Sequence, residues 1–168
     1  MNESCEFPAH SISLLVRNQP GVLVRVSLVF ARRGYNIDSL VVSPALNGQF
    51  ARMNVVAHGD PQTLDQIIHQ LEKLIDVVHA IDHTGHKVVE KELALIKLHC
   101  DKEQRSELMQ IVQHFKAETV DLTSTSMVIQ VTGSTDKINA VRTLLNQYDV
   151  KEYIRTGKVI MVRGEYET

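Results

Sequence analysis

The sequence has no tryptophan, and aromatic residues make up only 5% of the chain. RNA-binding sheets stack bases on clustered aromatic side chains, so this scarcity argues against RNA recognition. The net charge of −2 provides no bulk attraction to nucleic acid or to anionic lipid. No apolar run approaches the ~20 residues of a membrane span, and the first eight residues lack a signal-peptide pattern. We therefore expect a cytoplasmic protein that binds neither nucleic acids nor membranes.

Cysteine is also scarce, with Cys5 and Cys100 the only two in the chain. Their spacing matches no motif, and sequence alone leaves a disulfide open, although a reduced setting is the simpler interpretation. Cys100 follows His99 at the end of an apolar run, which predicts a packing role for the thiol.

No catalytic or cofactor motif is present. The sequence contains no G-x-S-x-G, phosphate-binding loop or G-x-G-x-x-G pattern. His79, His83 and His86 match no zinc-ligand spacing, so we predict surface or edge histidines, and adventitious metal binding there stays open. The sequence predicts no catalytic residues, no metal site and no cofactor in this chain.

What the sequence does contain is one β-α-β-β-α-β pattern in each half. In the first half we predict strands at 10–17, 35–43, 50–58 and 76–83, with helices at 20–33 and from 61 onward. Asn47-Gly48 is a hairpin signal, and Asp60-Pro61 is a helix-start signal. The second half repeats the order, with strands at 92–100, 118–123, 127–133, 150–156 and 158–164 and helices at 103–115 and 134–148.

The repeat predicts an α+β protein made of two tandem ferredoxin-like (βαββαβ) sandwiches. Gly59 corresponds to Gly133 and Leu64 to Ile138 at one constant offset. We place the first domain at 8–84, a linker at 85–91 and the second domain at 92–168. Each sandwich leaves one sheet face and two edges open, which predicts a homodimer that covers them.

The junction between the first strand and helix is the main candidate site. Pro20 is preset for a first helical turn, and Gly21 leaves the amides of that turn open to an anion. Asn18 is positioned to cap the helix. The alternative is that Asn18, Pro20 and Gly21 only turn the chain.

Strand two begins with Tyr35-Asn36-Ile37-Asp38, which we expect beside the neighbourhood of strand one at the helix end. Asn36 and Asp38 are suited to an ammonium group, and Val22 and Leu23 supply an apolar wall. Donors for a carboxylate, acceptors for an ammonium and a small apolar wall together describe an α-amino acid site. The candidate binding residues are Asn18, Gln19, Pro20, Gly21, Val22, Leu23, Asn36, Ile37 and Asp38.

Residues 14–44, LLVRNQPGVLVRVSLVFARRGYNIDSLVVSP, closely resemble the ACT domain of the regulatory (small) subunit family of acetolactate synthase. The loop pattern Asn-x-x-Gly is common among ACT domains, whereas RRGYNIDSL is much more specific. The second half and the length also fit, so the resemblance covers essentially the whole chain. Pro20 is a departure, which we expect to stiffen the loop.

The resemblance implies a non-catalytic subunit of branched-chain amino acid biosynthesis. In that family the catalytic large subunit holds thiamine diphosphate, magnesium and FAD, and the small subunit activates it and confers feedback inhibition by valine or related amino acids. Asn18, Gly21 and Asn36 are the effector contacts that the resemblance implies, at an interface between two ACT domains.

The second half has CDKEQRSE in place of the Asn-x-x-Gly loop, so we expect no equivalent site there and contact with the catalytic subunit instead. Two alternatives remain: a free-standing ACT sensor that acts on another enzyme or on transcription, and a small enzyme on a ferredoxin-like fold. The missing catalytic set argues against the enzyme.

Overall fold

The computed structural model describes residues 8–165, which form nine strands and four helices. The first half contains β1 (Ala9–Arg17), α1 (Val22–Ala31), β2 (Ile37–Pro44), β3 (Phe50–His58), α2 (Pro61–Glu72) and β4 (Val77–Asp82). The second contains β5 (Val88–His99), α3 (Arg105–His114), β6 (Glu118–Leu122), β7 (Ser126–Gly133), α4 (Thr135–Leu145), β8 (Val150–Arg155) and β9 (Val159–Val162). The predicted α+β class and the two βαββαβ repeats are confirmed.

The chain divides into two compact units. The first unit contains the described residues up to Val89 together with those from Gly157 onward, and the second unit contains Glu90–Thr156. The predicted linker therefore includes a turn, where Gly85 has φ 76°, and the first residues of β5.

The first unit is an antiparallel sheet of order β2-β3-β1-β4. Alternate residues of β1 point to one face, where Ile12, Leu14 and Val16 are fully buried. Helices α1 and α2 cover that face with Phe30 and Leu71, which belong to the same apolar core. This core fixes which residues of β1 and α1 face inward at the candidate junction.

The helices of the first unit begin differently. Helix α2 begins as the sequence predicts, because the Asp60 carboxylate accepts from the Thr63 N–H at 2.9 Å and Pro61 occupies the first helical position. Helix α1 begins at Val22, not near Pro20, because Gly21 has φ 84° and ψ −10° in the left-handed region. The predicted start of α1 was therefore wrong by two residues.

The second unit has the corresponding strand order, β6-β7-β5-β8. Cys100 is fully buried in its core, which confirms the predicted packing role of that thiol. Cys5 lies outside the described residues.

The C-terminal segment covers part of the face of the first sheet that the helices leave open. Leu40 packs on the core, so its strand neighbours Ser39 and Val41 face the other way. A Cβ atom on Gly157 would lie 2.2 Å from Ser39 Oγ and 2.8 Å from Val41 Cγ2, so the backbone at Gly157 lies directly on this face. The segment that contains Gly157 therefore covers this part of the sheet face that the helices leave open.

Candidate functional site

The loop between β1 and α1 is held by its own backbone. The Asn18 N–H donates to the Gln49 carbonyl at 2.9 Å, and the Arg17 N–H donates to the Asp76 carbonyl at 2.8 Å. Gly21 is the N-cap residue of α1, and no side chain caps the helix. The first N–H groups of a helix have no partner within it. The Val22 N–H donates to the Gln19 carbonyl at 3.4 Å, so the donors that this junction offers are the next amides, of Leu23 and Val24, close to a glycine that adds no bulk.

Two of the loop side chains differ from expectation. Asn18 does not cap α1: its Nδ2 donates to the Gly48 carbonyl at 3.1 Å and ties the loop to the β2–β3 hairpin. Val22 is a core residue with 2% exposure, so it contributes no wall to a surface site. Leu23 is 42% exposed and remains available, and Gln19 and Pro20 are exposed.

An ion pair that the sequence analysis missed lies beside Gly21. Arg25 Nη2 lies 2.5 Å from Asp76 Oδ2, and the Asp76 side chain is only 8% exposed. A Cβ atom on Gly21 would lie 3.2 Å from Arg25 Nη1, so the guanidinium lines the loop. Spacing along the chain gives no signal for this pair, because the two residues are joined only when β4 pairs with β1.

The second group of predicted residues forms a polar cluster at the start of β2. Asn36 Nδ2 donates to Asp38 Oδ1 at 3.1 Å, and His58 Nδ1 lies 2.5 Å from Asp38 Oδ2. Ile37 is partly buried and packs on the core of the first unit. His58 was not predicted, because its contact with Asp38 depends on the register between β2 and β3.

The loop and this cluster lie at opposite ends of the sheet. Ile37 pairs with Ala57, which pairs with His10 near the start of β1, whereas the loop follows Arg17 at its other end. Seven residue steps of extended strand span roughly 23 Å. Within one chain, a single amino acid therefore cannot contact both the start of α1 and the pair Asn36 and Asp38, because the crossover helix returns the chain to the far end of the sheet before β2 begins.

The tyrosine of the RRGYNIDSL segment has a packing role. The Tyr35 hydroxyl donates to the Asp60 carbonyl, and burial raises the pKa of Tyr35 above its usual value. A Cβ atom on Gly59 would lie 2.1 Å from the Tyr35 ring. Tyr35 and Gly59 thus fit together and connect the polar cluster to the start of α2.

The histidines near β4 occupy different environments. His83 is buried, and burial lowers its pKa below the usual value. His79 is partly buried on β4, and His86 is exposed in the turn that follows. Within residues 8–165, no three His, Cys, Asp or Glu side chains are grouped closely enough to hold a metal ion.

The corresponding junction of the second unit is built differently. Gln104, the N-cap residue of α3, has φ −76° in the right-handed region. Arg105 Nη2 donates to the carbonyls of Thr123 at 2.8 Å and Ser124 at 3.2 Å.

Across the part of the chain that the structure describes, no helix is long and apolar enough to cross a membrane.

Comparisons with known proteins match the two units of the chain separately. Residues 12–79 match a model described as the AHAS small subunit-like ACT domain, and residues 91–164 match one described as the small subunit of acetolactate synthase. The first unit is therefore an ACT domain, the class that its strand order and open strand–helix loop define.

Relatives of known name match nearly the whole chain. A protein of Archaeoglobus fulgidus named "Probable acetolactate synthase small subunit" is 44% identical over 92% of this chain and 97% of its own. The acetolactate synthase small subunit of Mycolicibacterium smegmatis is 38% identical over 94% of this chain and 92% of its own. The crystal structure of the small subunit from Thermotoga maritima has a TM-score of 0.85 at 37% identity, covering 95% of this chain and 99% of that one. The chain belongs to the acetolactate synthase small subunit family.

Proposed function

We propose that this chain is the non-catalytic regulatory subunit of an acetolactate synthase, that it activates the catalytic large subunit and that it makes the enzyme sensitive to valine. Family membership supports the regulatory role. The open junction at Gly21 is the observation that supports effector binding. Thiamine diphosphate, magnesium and FAD belong, in this proposal, to the catalytic subunit.

The effector carboxylate binds at the loop. The partial positive charge of the α1 N-terminus and the first-turn N–H groups of Leu23 and Val24 favour an anion there. The glycine at position 21 lets the carboxylate approach the backbone, and the half-exposed Leu23 contacts the aliphatic side chain.

The effector ammonium binds at Asn36 and Asp38 of a second copy. β2 is an edge strand, and α1 exposes Leu23 at 42%, Val24 at 61% and Leu28 at 44%. Exposed edges and apolar surface favour association with another chain. An antiparallel pairing of two β2 strands about a two-fold axis places the start of one β2 beside the end of the other.

That pairing brings together the loop and the Asn36–Asp38 cluster, which lie at opposite ends of the sheet within one chain. The loop lies at the same end of the sheet as the end of β2, because Asn18 is hydrogen-bonded to the Gly48 carbonyl of the hairpin. The loop of one copy therefore meets the Asn36–Asp38 cluster of its partner, and a dimer carries two equivalent sites.

Reconstitution tests the regulatory role. The purified chain is expected to form no acetolactate from pyruvate by itself, to raise the turnover of a purified catalytic large subunit, and to make that turnover fall when valine is added. Turnover of pyruvate by the chain alone, or no effect on the large subunit, would contradict the proposal. Failure to bind the large subunit, with retained valine binding, would favour a free-standing sensor.

Subunit complementation tests the shared site. Gly21→Asp places a carboxylate beside Arg25 where the ligand carboxylate binds, and Asn36→Ala removes a polar group at the other end. Each variant alone is expected to bind valine at least tenfold more weakly, by calorimetry. Mixed dimers of the two variants carry one site with both changes and one wild-type site, so tight binding should return at half the stoichiometry.

The backbone at Gly21 requires a control. Because φ is 84°, Asp at this position is strained, and part of the effect could arise from stability. Gly21→Asn, which tolerates left-handed angles better and carries no charge, separates strain from repulsion of the ligand. If mixed dimers fail to recover binding while each variant remains folded and dimeric, the site does not span two copies.

A further inference from the structure

Asp38 is the irregular residue of β2. Ile37 pairs with Ala57 and Ser39 pairs with Val56, so Asp38 has no register partner on β3. Such a bulge changes the direction of the side chain it carries. The Asp38 carboxylate is consequently turned toward His58, whose Nδ1 lies 2.5 Å from Oδ2, while Asn36 bonds Oδ1.

The Asp38–His58 pair is accessible to solvent. The side chains of His58 and Asp38 are 35% and 34% exposed, and neither is part of the apolar core. Histidine is the side chain whose charge ordinarily changes between pH 5 and pH 8. With a neutral ring the pair carries one negative charge, and with a protonated ring it carries none.

We infer that His58 is a positioning residue that makes effector binding at Asp38 depend on pH. The inference rests on the proposed effector site. The neutral ring, with its proton on Nδ1, donates to Asp38 and leaves the carboxylate its charge for the ammonium group. The protonated ring pairs with the same carboxylate as a cation and competes with the ammonium. Effector binding therefore weakens as the pH falls.

Other titratable groups at this end of the sheet have different partners. His10 is buried, and its Nε2 is bonded to the Gly59 carbonyl. Tyr35 donates to the Asp60 carbonyl, and the Asp60 carboxylate caps α2 through Thr63. Ala9, the register partner of His58 on β1, carries no charge. Among the described residues, His58 is thus the titratable group bonded directly to Asp38.

Thermodynamic linkage requires that valine binding and protonation of His58 affect each other equally. If protonation of His58 weakens valine binding, saturating valine must make His58 harder to protonate. The ring resonances of His58, followed by NMR across the same pH range, are expected to titrate at lower pH with valine than without it.

Calorimetric titration with L-valine from about pH 8 to about pH 5.5 tests the inference. The wild-type chain is expected to lose up to about fivefold in affinity over this range, the upper end for a partly exposed charge pair. His58→Gln keeps an amide donor that cannot titrate, and His58→Val removes the donor, so both should show little pH dependence. His69→Gln, on the exposed side of α2, is the matched control and should keep the wild-type dependence.

The outcomes separate the two proposals. Valine binding that is independent of pH in the wild type, or an unchanged dependence in both folded His58 variants, would overturn the role of His58 and leave the effector site intact. No valine binding at about pH 8 would overturn the proposed function itself.

Discussion

The two units share a strand order but differ at the junction between their first strand and first helix. In the first unit Gly21 is left-handed and α1 has no acidic residue in its first turn. In the second unit Gln104 is right-handed, and Glu107 lies in the first turn of α3. One helix N-terminus is open to an anion, and the other is partly neutralised by its own side chain.

A second pair of positions shows the same contrast. Gly59 and Gly133 both precede a capped helix, at one constant offset. A Cβ atom at Gly59 would meet the Tyr35 ring at 2.1 Å, whereas one at Gly133 would meet Lys137 Cδ at 2.5 Å. The fold thus requires glycine at position 59 but not at position 133, because the packed Tyr35 ring cannot move aside as the flexible Lys137 side chain can.

The largest expected effect is at these two glycines. Gly59→Ala should lower the free energy of unfolding by roughly 1–3 kcal/mol, because it overpacks against Tyr35. Gly133→Ala should change it by less than about 0.5 kcal/mol, since Lys137 can reorient. Urea unfolding of both variants makes the comparison. In a Tyr35→Leu background the Gly59 penalty should shrink, and an undiminished penalty would show that the ring is not its cause.

A smaller effect is expected where the first helix of each unit ends. Gly34 has φ 71° and Lys116 has φ 49°, and both donate an N–H to the carbonyl three residues earlier. Left-handed angles disfavour residues with a Cβ atom. Lys116→Gly should therefore stabilise the protein by roughly 0.5–1 kcal/mol and Gly34→Ala should destabilise it by about 1 kcal/mol. If Lys116→Gly and Gly34→Ala shifted the thermal unfolding temperature in the same direction, the correspondence between these two positions would be contradicted.

The smallest effect concerns pH. The backbone N–H of His83 donates to the Ser11 carbonyl at 2.8 Å. In the second unit the backbone N–H of Thr156 makes the equivalent bond to the Leu93 carbonyl at 2.9 Å. Burial lowers the pKa of His83, so below the usual histidine pKa the unfolded chain binds more protons than the folded one. Stability from this group is complete above that pH and is lost as the pH falls.

His83→Gln should therefore flatten the fall of the unfolding free energy between neutral and mildly acidic pH. The exposed His69, changed to Gln, is the control. Thr156→Ser, at the equivalent position of the second unit, should leave the pH dependence unchanged. An identical pH profile for wild type and His83→Gln would show that burial of this ring does not contribute to acid sensitivity.

Local rules were sufficient for most elements of the fold. The period-2 and period-3.6 apolar patterns predicted the order of strands and helices, because those patterns determine which faces can be buried. Asp60-Pro61 predicted the start of α2, because a capping carboxylate followed by proline favours the first turn of a helix. The loop 18–21 was located by its Asn, Pro and Gly, although its left-handed Gly21 and the hydrogen bond of Asn18 to Gly48 were not foreseen.

Only the tertiary structure decided what lies beside what. Strand register placed the loop and the Asn36–Asp38 cluster at opposite ends of one sheet, and the bulge at Asp38 turned its carboxylate toward His58. Contacts such as Arg25 with Asp76, or Gly157 with Ser39, join residues far apart along the chain. The sequence by itself determined the elements, the repeat and the family resemblance. Partners across the sheet were decided by packing, because a residue's neighbours in the folded chain depend on register and crossover and not on its local pattern.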